Sequence, residues 1–263
     1  MRIVKFEMKR AFQGRLFLIS LILGGVICAL DLLSFYIEFG TKSGRYLLQA
    51  WIGTDYLFAY RTMFYILLPL LASLPYGGSL YSDMKTGYDK NICIKASRLQ
   101  YAFAKSISVF VTAFVSVVLP LALNLFMAAG IYPNYICERL RWLSPGMPEN
   151  RLFTAICNQH PALYCLIFIL IDGLFAGVIA LTSLSIAKVV KSHFTAVVTP
   201  MVIYIIEGAI LVGDESGNWG VMDMLVPAQS ARTLWYQLVT SFLLILVANA
   251  VIIWGSSRKR DVI

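Results

Sequence analysis

Six apolar runs, each close to the length that crosses a bilayer, constrain this chain more than any other feature. They cover about Leu16–Phe39, Thr62–Leu80, Phe103–Ala129, Leu163–Ala187, Ala196–Val212 and Tyr236–Trp254. A helix rises about 1.5 Å per residue, so roughly 20 apolar residues span a hydrocarbon core about 30 Å thick. No water reaches the backbone there, and a helix satisfies its N–H and C=O groups within itself. The reading is an all-α membrane protein, a single transmembrane domain over residues 1–263 with six spans. Pro69, Pro75 and Pro120 fall inside the second and third runs, where each predicts a kink. Composition agrees, with 59% of the residues hydrophobic and 14% charged. An ordinary soluble domain carries about 25% charged residues.

The net charge of +8 is explained by where the basic residues fall. Six spans put both termini on one side. That side holds Arg2, Lys5, Lys9, Arg10 and Arg15, then Lys85, Lys90, Lys95, Arg98 and Lys105. Lys188, Lys191, Arg258, Lys259 and Arg260 complete it. On the other side Lys42, Arg45, Arg61, Arg139, Arg141, Arg151 and Arg232 are offset by seven acids, Glu38, Asp55, Glu138, Glu149, Asp214, Glu215 and Asp223. The positive-inside rule then makes both termini cytoplasmic in a multi-pass cell-membrane protein. Orientation accounts for the charge, and nucleic-acid binding is not required.

The remaining segments fit this frame. Residues 1–15 alternate apolar and basic positions, with Ile3, Phe6 and Met8 able to share one side. This suits an amphipathic helix lying against the lipid of the inner interface. The segment is too charged for a cleavable signal. Aromatic residues crowd the outer loops, including Trp51, Tyr56, Tyr132 and Trp142. Before the sixth run, apolar Val221–Val226 stops at Pro227 and reads as a short interfacial or re-entrant segment. Cys137 and Cys157 both fall in outer loops, so a disulfide between them is open, although the odd total of five cysteines speaks against a framework.

Chemistry-bearing motifs are few. The chain has no phosphate-binding GxxxxGK[ST] loop, no HExxH and no nucleophile elbow. Its two histidines, His160 and His193, have no partner at metal-ligand spacing. The reading is a non-catalytic protein that binds no metal. Polar residues inside the apolar runs are costly and therefore informative. They are Asp31, Asn124, Asp172, Glu207 and Asn249. Asp31, toward the outer end of the first run, can reach the interface. Asn124, Asp172, Glu207 and Asn249 either line a substrate pathway or join helices by hydrogen bonds. Gly173 and Gly177 have the small-xxx-small spacing that lets two helices approach closely.

The polar stretch Ser82–Lys105 lies between the second and third runs on the cytoplasmic side. Asp83-Met84-Lys85-Thr86-Gly87 resembles an acid-x-x-x-Gly pattern. Ser97-Arg98-Leu99-Gln100-Tyr101-Ala102-Phe103-Ala104-Lys105 resembles a Ser-Arg entry into a span that ends in Gly/Ala-Lys. With the amphipathic N-terminus and the Val226-Pro227 segment, the whole chain resembles a permease subunit of the ABC-2 type of ABC transporters. It departs from the family pattern at Asp83, where Glu is frequent, and at Ala96, where Pro is frequent. The loop from Gly130 to Pro161 is also long.

The resemblance implies a cytoplasmic coupling helix between spans two and three that docks on separate ATPase subunits. Asp83, Gly87, Arg98 and Lys105 are its coupling candidates. ATP and Mg would be bound by that partner and no cofactor by this chain. A second permease copy or a paralogue would complete a dimer. The residues themselves allow Gly87 to end or bend the helix. Asp83 would pair with the basic N-terminal helix or with the partner. Arg98 and Lys105 would pair with partner acids or lipid phosphates. The resemblance implies export, of a peptide as in lantibiotic self-protection, a drug or a lipid. The alternatives are a secondary transporter or channel that needs no ATPase, and a toxin-immunity membrane protein that does not transport.

Overall fold

The computed structural model describes residues 2–41, 45–54, 59–94, 97–134, 152–190, 192–211, 219–228 and 233–258. These residues form an all-helical bundle without strands. In chain order the helices are α1 (Arg2–Phe12), α2 (Arg15–Phe39), α3 (Leu47–Ala50), α4 (Ala59–Ser73), α5 (Ser79–Thr86) and α6 (Tyr88–Cys93). Next come α7 (Arg98–Ile131), α8 (Thr154–Gln159), α9 (Pro161–Ile186), α10 (His193–Ile210), α11 (Val221–Leu225) and α12 (Trp235–Arg258). Cys137 lies outside the described residues, and with it the proposed disulfide.

Five helices, α2, α7, α9, α10 and most of α12, are long and apolar enough to cross a membrane. The run expected over residues 62–80 is divided instead. α4 has 15 residues, about 22 Å at the usual rise and short of a 30 Å core. Turns over 74–78 separate it from α5. Pro75, Gly77 and Gly78 account for the break, since proline removes a donor and glycine favours turns. Pro69 and Pro120, by contrast, are accommodated inside α4 and α7.

Helix starts follow local chemistry. Ser97 caps α7: its Oγ accepts from the Gln100 N–H at 3.3 Å, and the Ser97 N–H donates to Gln100 Oε1 at 3.3 Å. This reciprocal box satisfies two donors that a helix start leaves open. Ser192 caps α10 through Thr195 N–H at 3.0 Å, and Pro161 opens α9, where a missing N–H costs nothing.

The bundle is built around α9 and α7, its most extensively packed pair. Gly173 and Gly177 of α9 face Val118, Phe114 and Phe110 of α7 so closely that an added Cβ would collide with them. The absent side chains let the two axes approach. α4 packs on both, α2 covers α7 and α4, α10 covers α4 and α9, and α12 lies against α9. α9 is two-thirds buried over its most apolar stretch, and α12 scarcely at all. The outward residues of α12, such as Leu244, Val247 and Val251, are apolar, as lipid contact requires. α1 folds back onto α7.

Candidate functional site

Two polar regions stand out among the described residues of this apolar bundle. The first joins α1, the turn after α4, α5 and the first turns of α7. Lys105 Nζ donates to Glu7 Oε2 at 2.8 Å, Asp83 Oδ2 at 2.5 Å and the Tyr76 hydroxyl at 3.1 Å. The Tyr76 hydroxyl donates to Glu7 Oε2 and the Tyr101 hydroxyl to Asp83 Oδ2, each at 2.5 Å. Arg10 donates to Asp83 Oδ1 at 2.7 Å and lies over the Tyr88 ring at 4.7 Å. Glu7 and Asp83 have no exposed surface, and Lys105 is 1% exposed.

Two acids and two bases make the cluster electrically balanced. Balance is what allows charge to be buried, because a lone ion out of water costs several kcal/mol. Burial alone would raise the Asp83 carboxyl. The Arg10 hydrogen bond, the Lys105 charge, and hydrogen bonds from Lys105 and Tyr101 outweigh it and hold Asp83 below its ordinary 3.8. The same carboxylate raises the Arg10 guanidinium against the effect of its own burial.

Next to this cluster the chain turns outward. Gly87 closes α5 with φ 71° and its N–H bonded back toward Asp83 and Met84. That left-handed conformation is open to glycine at little cost. α6 follows at once, so 79–93 is an elbow of two short helices, not one helix. Lys85 and Lys90 are exposed along it, and Arg98 is exposed at the start of α7.

The second polar region lies within the bundle. Asp172, near the middle of α9 and fully buried, accepts from the Tyr65 hydroxyl of α4 at 2.9 Å. Its other oxygen has no hydrogen-bond partner among the described residues, and neither has the Tyr204 hydroxyl of α10. Tyr204 lies within electrostatic range of Asp172, Glu207 and Asp223.

The structure sorts the sequence candidates. Asp83 and Lys105 meet each other and face inward; Lys105 pairs with acids of its own chain, not with lipid phosphates. Gly87 lies within the elbow, and Arg98 is exposed in the first turn of α7. Asn124 joins α2 to the segment after α3: its amide donates to Cys28 O at 2.8 Å and its oxygen accepts from Ile52 N at 3.2 Å. Asn249 of α12 donates to Val178 O at 3.2 Å and accepts from Ser185 Oγ at 2.7 Å. Both asparagines therefore do the work of joining helices. Glu207 accepts from the Val221 N–H at 3.1 and 3.2 Å, at the start of α11. Asp31, expected to reach the interface, is buried.

Sequence reasoning missed Glu7, Tyr76 and Tyr101. Glu7 offered a signal, as the one acid in a strongly basic N-terminal segment. The tyrosines offered none, since their aromatic rings blend with the apolar runs. No protein-family model matches this chain, and no curated protein or solved structure matches it either.

Proposed function

We propose that this chain is the permease subunit of an ABC-2 type exporter, with six spans of which α4 is the short one. A separate ATPase would dock on the elbow formed by α5 and α6 and hydrolyse ATP. The chain would supply the pathway, a second permease copy or paralogue would complete it, and the cargo would be a peptide, drug or lipid. α11 would be a re-entrant segment at the outer face.

The single observation that carries this reading is the cluster of buried Glu7, Asp83 and Lys105 with half-buried Arg10. It ties the elbow's first helix to α1 and to the start of α7, the longest helix at 34 residues. A push on the elbow would thereby be delivered to a helix that packs on α1, α2, α4 and α9. Packed and bonded elements shift together, not one at a time. Affinity purification from host membranes tests the reading. An ATPase without spans of its own should accompany the tagged chain, and Arg98→Glu with Gly87→Leu should release it. Absence of any ATPase, together with unchanged transport in that variant, would refute the reading.

A second reading, an ATP-independent secondary transporter or channel, is favoured by one observation, the buried Asp172 near the middle of α9. It predicts that transport survives ATP depletion and is lost in Asp172→Asn.

A further inference from the structure

The charged cluster also has an outward consequence. Glu7 and Asp83 are drawn wholly inside, while the lysines of α1 are not. Glu7 and Ala11 form the buried stripe of α1, and Lys5, Phe6 and Lys9 lie on its exposed side. The bonds from Glu7 to Lys105 and Tyr76, and from Arg10 to Asp83, fix the rotation of the helix about its axis. They therefore fix which residues it presents.

That presented face is basic with an apolar member, Phe6, which is 55% exposed. It also continues into a lipid-facing surface. After the short break at Gln13 and Gly14 the chain enters α2, whose Leu18, Ile19 and Ile22 are exposed. A helix carrying lysines next to an apolar belt matches the chemistry of a bilayer's headgroup layer: phosphates outside, acyl chains beneath. A lysine stem lies along apolar surface and carries its ammonium to the phosphates.

We propose that Lys5 and Lys9 of α1, with Phe6 beside them, form a binding site for the phosphate headgroup of an anionic phospholipid. The Glu7–Lys105 and Arg10–Asp83 ion pairs aim that site. Lipid occupancy and the charged cluster then support each other, since both hold α1 in one rotation.

The test uses the full chain in phosphatidylcholine nanodiscs titrated with dioleoylphosphatidylglycerol, with bound lipid counted by native mass spectrometry. Phosphatidylglycerol should be retained in preference to phosphatidylcholine. Lys5→Gln with Lys9→Gln should weaken it about 25-fold, roughly fivefold per lysine. Both lysines are exposed, so this variant should unfold at the wild-type temperature in phosphatidylcholine alone. Lys85→Gln with Lys90→Gln, on the elbow, should leave phosphatidylglycerol binding within about twofold. Equal retention of the two lipids, or an unchanged affinity in the α1 variant, would overturn the proposal. So would an equal loss in the elbow variant, which would reduce the effect to general positive charge. A soluble polyglutamate peptide serves as the acidic-protein control, and its displacement of the lipid would also overturn the assignment.

Discussion

The two buried polar regions solve the same problem in opposite ways. At the α1 end, four charged side chains from three helices meet with net charge zero, and each carboxylate receives at least two donors. In the middle of the bundle, Asp172 has a single donor, the Tyr65 hydroxyl, and an oxygen without a partner among the described residues. Glu7 also leaves one oxygen unbonded, but Lys105 stands 2.8 Å from the other. The first region is therefore a joint, in which removing Lys105 leaves two buried acids short of a cation. The second is a lone polar group that the fold tolerates, and such groups inside a membrane protein are where function is sought.

The contrast breaks most directly at Lys105. Lys105→Met leaves Glu7 and Asp83 buried and short of a cation, and should cost about 3–5 kcal/mol of folding stability. Denaturant titration of the purified chain in detergent reads this out. A loss under about 1 kcal/mol would mean that water reaches the cluster and that it is no joint.

A smaller effect follows from pH. Asp83 is held below its ordinary 3.8, so its contribution is fully present above that value and is lost as pH falls through the lower folded-state value. Stability attributable to Asp83 should thus be constant from neutral pH to about 5 and fall below about 4. Asp83→Asn should remove that acid-dependent part while lowering stability at neutral pH by less than Lys105→Met does. Thermal unfolding across pH in both proteins checks the sign, and stability that increased with acid would contradict it.

The smallest effect belongs to the middle of the bundle. Asp172→Asn keeps a group able to accept from Tyr65 and exchanges one uncharged polar group for another, because a buried carboxyl with no cation beside it stays protonated, so stability should change by less than about 1 kcal/mol. Tyr65→Phe should cost about 1 kcal/mol, an ordinary hydrogen bond. If Asp172→Asn cost as much as Lys105→Met, the two regions would not differ in kind.

These differences also show what a sequence exposes. Apolar length marked five of the helices, and the Gly173–Gly177 spacing marked where α7 and α9 approach. Capping chemistry at Ser97 is visible in its own four residues. The division at 74–78 was half visible: Pro75 predicts a kink, but no charge interrupts Leu74–Leu80, so the run reads as a single span. The joint was half visible. Asp83 and Lys105 stood out as charges at a membrane boundary, but Glu7 is 98 residues from Lys105, and no local pattern reports such a pairing. Asn124 and Asn249 show the limit in the other direction. An amide in an apolar run announces a hydrogen bond, and only the fold reveals which neighbouring segments its partners belong to.

The proposed function requires the elbow beside this joint to receive a motor carried by another chain. Lysine-reactive cross-linking in host membranes, followed by mass spectrometry, tests it most directly. Cross-links from Lys85 and Lys90 to a soluble ATPase subunit are the predicted result. Efficient labelling of both lysines with no ATPase attached to either would contradict the claim.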